Sequence, residues 1–394
     1  MDTTQAQRVI ESLRKGIPPD GFVRNFTVGR SSEIEDLAQR LESPEGMALL
    51  LNANYGSGKT HLLRFIREQA LSQNYVVSTV TLDAKSEVRF NRMDQIFGAV
   101  CRNIEIPSAP GNKGIRSFFD YLSKCASDRS SGTYWRELSS NWKWDYSEKL
   151  DSTALFVGLR AWATGKPDIA DIVEDWLYQP WQYRSQRKKL YAILVDGLRR
   201  HFRDPRPEWK FYADEVFMFH TQGHAQSWAA LRDFDGLSRV AGFRGMIILF
   251  DEFEDVITNI TNVAHQEAAF WNLFHFYSGK HFPGKTFYAV TPEFIEKCKN
   301  RLLQKGRWDF DFSRFDALPR FEMSPLELDH LIELSKRICP VHGLAYDWDA
   351  PENLNGDGIK DVLENAVRVQ IQDRTRHAIT SLIKRLDSAL QGRL

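Results

Sequence analysis

The sequence predicts an α/β fold: a parallel sheet flanked by helices around a phosphate-binding loop, interrupted by a long helical insertion and followed by a C-terminal helical lid. Three observations lead there. Ala53-Asn54-Tyr55-Gly56-Ser57-Gly58-Lys59-Thr60 nearly spells G-x-x-x-x-G-K-[ST] between an apolar run and a helical pattern. A second apolar run, Gly245 to Phe250, ends in Asp251-Glu252. From Leu326 to Leu394 the apolar residues recur at helical spacing only.

In chain order, Val9, Ile10 and Leu13 mark one face of a short helix that stops at Gly16, and Pro18-Pro19 forces an extended segment ahead of the core. A turn at Thr27-Val28-Gly29-Arg30 feeds an amphipathic helix through Ile34, Leu37, Ala38 and Leu41. Residues 1–45 are thus expected to lead into a nucleotide-binding core formed by 46–106 and 208–325.

Met47 to Leu51 reads as a buried strand, and Leu62, Leu63, Ile66 and Ala70 fall on one face of the next helix. Glycines between them let backbone N–H groups turn inward around phosphate oxygens, and the helix N-terminus adds its positive dipole end. Ala53 stands where the motif has its first glycine, a position alanine holds if its φ is negative. The expected phosphate cradle is Asn54, Tyr55, Gly56, Ser57, Gly58, Lys59, Thr60 and His61, with ATP as ligand. Lys59 is expected to reach the β- and γ-phosphates and Thr60 to ligate Mg²⁺.

Tyr75 to Asp83 is β-rich and supplies the next parallel strand. Residues 107–207 show no strand alternation and form a Trp-rich helical insertion. Trp135, Trp142, Trp144, Trp162, Trp176 and Trp181 there, beside Arg184, Arg187, Lys188 and Lys189, read either as a base-stacking surface or as a helical core with a solvated basic face.

Gly245 to Glu252 is a second central strand that delivers Asp251 toward the Mg²⁺ and Glu252 toward the attacking water. Glu254 and Asp255 follow closely and blur which acid does what. Thr286 to Val290 is a third strand, whose end at Thr291-Pro292 places a hydroxyl between the two motifs. Phe321 to Leu326 reads as the last strand. Arg301, Arg307, Arg314 or Arg320 is the expected arginine that reaches a neighbour's nucleotide in a homo-oligomer. The lid, 326–394, carries Arg376, with Arg374 close behind, toward the γ-phosphate.

Composition sets outer limits. The 394 residues carry 52 basic and 52 acidic side chains, so the molecule as a whole is not built as a polyanion sponge. Cys101, Cys125, Cys298 and Cys339 are scattered without C-x-x-C pairing, which argues against a zinc site or disulfide framework. The polar N-terminus and the absence of a long apolar run lead us to expect a cytoplasmic protein with no membrane segment.

The order Val28-Gly29-Arg30, phosphate loop, acid-ended strand, Thr-ended strand and helical lid resembles the AAA+ ATPases of the replication-initiator-like type. More narrowly, Ile10 to Pro19, Tyr55 to Arg64, Tyr75-Val76-Val77, Asp251 to Glu254 and Thr291 to Phe294 resemble the ATP-binding proteins of bacteriophage exclusion (BREX) systems, the BrxC/BrxD-type group. The resemblance covers about residues 5–105 and 225–340. It implies bacterial antiviral defence, ATP binding, and work beside other defence proteins on foreign DNA. It also implies roles for Thr291 as the first sensor and Arg376 as the second. We expect no winged-helix domain of the kind by which replication initiators grip DNA after the lid, and DNA to be met directly or through partners. Two functions follow: an ATPase that remodels a partner complex, or a nucleotide-gated scaffold with little turnover.

Overall fold

The computed structural model describes residues 1–54, 56–83, 86, 88–127, 150–162, 165–180, 224–256, 260–350, 356–368 and 374–392. Helix α1 (Thr3–Arg14) starts on a capping box in which the Asp2 carboxylate accepts from Gln5 N at 2.8 Å while Asp2 N donates back to Gln5 Oε1 at 3.0 Å. It ends before Gly16, whose φ of +66° suits a residue without Cβ. An extended strap, 17–30, contains a short tight turn at Val23–Phe26 and leads to α2 (Ser31–Glu42).

Then come β1 (Met47–Asn52), α3 (Lys59–Ser72), β2 (Val76–Thr81), α4 (Met93–Asn103), β3 (Ile104–Glu105) and α5 (Ile115–Ser127). Helices α6 (Thr153–Trp162), α7 (Pro167–Tyr178) and α8 (Ala225–Val240) precede β4 (Met246–Asp251) and α9 (Val263–Tyr277). The series closes with β5 (Lys285–Val290), α10 (Phe294–Gln304), α11 (Ser313–Asp316), β6 (Arg320–Glu322), α12 (Leu328–Tyr346), α13 (Gly356–Val367) and α14 (Arg374–Gln391).

The six strands lie in the order β3-β2-β4-β5-β1-β6, all parallel except β3, which runs antiparallel to β2. In-register pairing sets Asn52 beside Val290 and Glu322, and Thr81 beside Asp251, so the carboxyl ends of the strands share one edge. That edge is where open α/β sheets bind ligands. The expected strands are found with ends shifted by a residue or two, apart from the last. It spans Arg320–Glu322 rather than 321–326, because its partner β1 ends at Asn52, the residue opposite Glu322. The two-residue β3 was not expected; it is too short to leave a periodic pattern.

Both faces of the sheet are covered, which is why its central strands are almost wholly apolar. Leu49, Leu51, Ile247, Leu249, Phe287 and Ala289 point to the face packed by Leu62, Leu63 and Ile66 of α3. Alternate residues Leu50, Ile248, Phe250 and Tyr288 point the other way. There Phe250 stacks on Tyr288 with ring centres 4.9 Å apart, and Phe90 meets Phe253 edge-on at 4.7 Å. Trp162 and Trp176 are buried in this second core, and Trp162 Nε1 donates to Asp120 at 3.0 Å. These two therefore fill a helical core. Trp135, Trp142, Trp144, Trp181, Arg184, Arg187, Lys188 and Lys189 lie outside the described residues.

A separate apolar cluster joins α1 to α12, α13 and α14 through Val9, Ile10, Leu13, Leu331, Ile338, Leu363, Leu382 and Leu386. Polar contacts weld the same seam. Arg14 Nη2 donates to Asp387 at 2.8 Å and to the Tyr346 hydroxyl at 3.0 Å, while Asp387 also meets buried His342 Nε2 at 3.0 Å. Trp348 Nε1 donates to His342 Nδ1 at 2.9 Å, so that nitrogen carries no proton and Nε2 is the donor to Asp387. The N-terminal helix is thus packed with the lid helices, and the strap links that unit to the sheet. Among the described residues no helix is long and apolar enough to cross a membrane.

At the sheet edge, Glu105 of β3 is fully buried and takes Arg67 of α3 through Nε at 2.8 Å and through Nη2. Removing one partner of such a pair leaves an uncompensated charge in the interior. Arg67→Met is expected to lower stability by about 3–5 kcal/mol, and Arg67→Met with Glu105→Leu to recover most of it. Urea unfolding midpoints of the single and double variants check this.

Candidate functional site

The loop after β1 is a turn that only glycine enters easily. Gly56 has φ +69° and Gly58 φ +95°, the latter capping the N-terminus of α3 directly before Lys59. Ala53 is not among the described residues with positive φ, and its methyl is buried, so the missing first glycine costs the loop no backbone strain. Tyr55 lies outside the described residues. Asn54 accepts from Ser57 N at 3.2 Å and is turned to solvent.

These residues form one end of a cavity of about 310 Å³ that the strap and the lid close from the other side. Gly56, Ser57, Gly58, Lys59, Thr60, His61, Asp251, Glu252, Glu254 and Asp255 make its polar end. Leu13, Ile17, Pro18, Phe26, Val28, Leu326, Leu334 and Ile379 make an apolar end. One polar pole and one apolar pole in one cavity match a molecule with phosphates at one end and a flat apolar ring at the other.

The strap is held over this cavity by α3. Arg64 donates to Pro18 O, and Arg67 Nη1 donates to Asp20 at 2.9 Å. The Glu68 carboxylate accepts from Val23 N at 3.1 Å and Arg24 N at 3.4 Å, and Arg24 donates to Gln69 and, at 2.8 Å, to Ser72. Further on, the buried Arg30 guanidinium donates to Ser57 O at 2.8 Å and pairs with Glu33 at 3.2 Å, pinning the phosphate loop from behind. Burial pulls Arg30 below the usual guanidinium value, and Glu33 works against that.

His61 Nε2 lies 2.9 Å from Thr27 Oγ1. The Thr27 hydroxyl gives its one proton to Val23 O at 2.9 Å, so His61 Nε2 is the donor. Burial, with the charges of Arg30 and Arg64 adding to it, pushes the His61 pKa down to about 4.

Lys59 Nζ donates to Ala53 O at 3.1 Å and lies 3.4 Å from Glu254 Oε1. Thr60 Oγ1 donates to Asp251 Oδ1 at 3.4 Å. Burial raises the Asp251 pKa, opposed by the Glu252 N–H and the Thr60 hydroxyl. Glu252 is also raised, first by burial and then by the surrounding carboxylates of Asp251, Asp83, Asp255 and Glu254. Its φ of +54° is unusual for a side chain of its size and marks local strain at the strand end.

No group of three or more His, Cys, Asp or Glu among the described residues is arranged to hold a metal by itself. Mg²⁺ bound with a nucleotide needs one or two protein oxygens and takes the rest from phosphates and water, and the Thr60 and Asp251 oxygens fit that demand.

Thr291, one residue beyond β5, is buried, and its hydroxyl has no hydrogen-bond partner among the described residues. It does not border the cavity. Arg376 does, lying over Gly16 so closely that a Cβ there would fall 2.7 Å from Arg376 Cγ. Arg374 is turned toward Glu327 at 3.9 Å, off the cavity. Of the four arginines considered for a neighbour's site, Arg307 pairs with Glu267 at 2.9 Å and Arg314 with Asp311 at 3.2 Å while stacking on Trp271. Arg301 and Arg320 have no carboxylate partner among the described residues, and none of the four borders this cavity.

With this geometry in hand, the N-terminal part of the chain finds a family. Residues 1–149 match the family of BREX system ATP-binding proteins BrxC/D. The BrxC/D match spans the strap, phosphate loop, α3 and β2, and stops before β4, β5 and the lid. The resemblance read over residues 225–340 therefore lies outside it. No curated protein and no solved structure matches the chain.

Sequence reasoning missed the apolar end of the cavity, the Arg30 to Ser57 contact and the pairing of Lys59 with Glu254. Pro18-Pro19 and Val28-Gly29-Arg30 were the signals available, but neither says that these segments fold back over the loop.

A Cβ on Gly58 would meet only His61 Cβ at 3.8 Å and Arg30 Nη2 at 3.9 Å, which is ordinary contact. Gly58→Ala should therefore cost only the left-handed backbone penalty, about 1–2 kcal/mol, read as a lower thermal midpoint. For His61 the folded pKa lies below the unfolded 6.5, so folding favours the neutral ring. Its contribution is complete above pH 6.5 and lost as pH falls toward 4. His61→Asn should flatten the fall in unfolding midpoint across that window relative to wild type.

Proposed function

We propose that this chain is an ATP-binding protein of a BREX defence system, built on an AAA+ core, that hydrolyses ATP with Mg²⁺. The observation that carries this reading is the two-ended cavity, whose polar pole is a glycine-turned loop at a helix N-terminus facing the acid-ended strand β4. The BrxC/D match supports ATP as the ligand and BREX as the setting. The placement of β5 between β1 and β4 supports the AAA+ assignment, since it sets a third strand end between the loop and the acids.

In this reading Gly56 to Thr60 receive the phosphates, Lys59 offsets their charge, and Thr60 and Asp251 hold Mg²⁺. Bound Mg²⁺ would supply charge neutralisation at the terminal phosphates. Glu252 orients and polarises the attacking water, and its raised pKa makes the carboxylate a better proton acceptor. Thr291 offers a hydroxyl to the water or to the γ-phosphate, and Arg376 brings the lid to the same place. Arg301 or Arg320 is the proposed trans arginine of a homo-oligomer. Partner defence proteins, and DNA through them, are the proposed targets, in the cytoplasm.

A second reading, a nucleotide-gated scaffold with little turnover, is favoured by the way the cavity walls come from both the sheet and the lid unit. Binding alone then draws the two together.

Measured ATP binding and hydrolysis separate the readings. Lys59→Ala should weaken ATP binding roughly tenfold or more, the loss of one charge-assisted contact. Glu252→Gln should keep binding and lower turnover by roughly 10²–10⁴. Thr291→Val should not lower the unfolding midpoint, because it removes a buried hydroxyl without a partner, yet it should slow turnover. Equal rates in wild type, Lys59→Ala and Glu252→Gln would remove the site. Tight binding in wild type with negligible turnover, even in the presence of a partner, would favour the scaffold.

A further inference from the structure

Glu254, three residues past the end of β4, forms an ion pair with the phosphate-loop lysine. Its Oε1 lies 3.4 Å from Lys59 Nζ, and both side chains are only 10% exposed. The other oxygen, Oε2, is buried and has no hydrogen-bond partner among the described residues. Glu254 thus presents an anion with spare acceptor capacity to the group whose task in this loop is to hold phosphate oxygens.

We propose that Glu254 is a positioning residue for Lys59 and sets the affinity of the site for di- and triphosphates by competing with them for the same ammonium. This rests on the nucleotide reading above and deepens it. A β- or γ-phosphate that takes Lys59 must displace a carboxylate already in contact with it. Ground-state binding is thereby weakened for any ligand that draws on Lys59, while one whose phosphates stop short of the lysine is not affected. The position of Glu254 explains the competition. The turn at Glu252, φ +54°, swings the chain after β4 back toward the loop, and buried Phe253 anchors it with its N–H on Ala289 O at 3.2 Å. Glu254 is therefore presented by a fixed turn.

The test is a double-mutant cycle on the full chain, with affinities for ADP and for a slowly hydrolysed ATP analogue measured by calorimetry. Glu254→Gln should tighten both roughly fivefold or more when Lys59 is present, and by no more than about twofold in a Lys59→Met background. Asp255→Asn, which removes a charge bordering the same cavity while keeping both Lys59 and Glu254, should change affinity by less than Glu254→Gln does. AMP binding should be the same in wild type and Glu254→Gln. If Glu254→Gln does not fold, Glu254→Asp shortens the arm and keeps the charge, and the same direction is expected. Equal tightening in both Lys59 backgrounds, or none in either, overturns the competition while leaving nucleotide binding intact. Failure of the wild type to bind any of the nucleotides overturns the reading on which it rests.

Discussion

The arrangement depends most on the polar seam between the strap 17–30 and α3. A segment carrying Pro18 and Pro19 has too few backbone donors to join a sheet, and its carbonyls and amides need partners once it lies against the protein. Helix α3 supplies them in succession through Arg64, Arg67 and Glu68, and Arg30 returns the contact to the phosphate loop at Ser57. One helix therefore does three jobs. Its N-terminus faces the polar pole of the cavity, its apolar face packs the sheet, and its polar face holds the wall of the apolar pole.

Because α1 is packed with α12 and α14, the strap is also the physical link between the lid unit and the sheet. Anything that fills the cavity touches both units at once. Arg376 over Gly16 marks where they meet, and glycine there allows an approach that a side chain would block. This gives binding a mechanical consequence in either of the proposed functions.

Electrostatics at the polar pole are arranged in tension. Asp251, Glu252, Glu254 and Asp255 crowd one end of β4; burial raises the pKa of Asp251 and Glu252, and for Glu252 the neighbouring carboxylates add to it. Lys59 and the α3 N-terminus oppose that crowd. A cation bound beside Thr60 and Asp251 would offset it further, which is the physical sense of pairing such acids with a phosphate loop. The strained backbone at Glu252 belongs to the same pattern, in which conformational cost collects where function does.

Much of the fold was legible in the sequence because its signals are local. Apolar runs of five or six residues ending in Asn52, Asp251 and Val290 read as buried strands, and Gly56 and Gly58 beside Lys59 read as a cradle. Most of the elements and the residues of the polar pole could be read this way, since each rests on residues adjacent in the chain. Which face the strap covers, that α1 packs with the lid, that Arg376 rather than Arg374 borders the cavity, and that Lys59 meets Glu254 all emerged only from the folded chain. The physical reason is separation. Those contacts join residues roughly 200 to 370 positions apart or lie in segments without period, so they exist only once the sheet has fixed the distance between them.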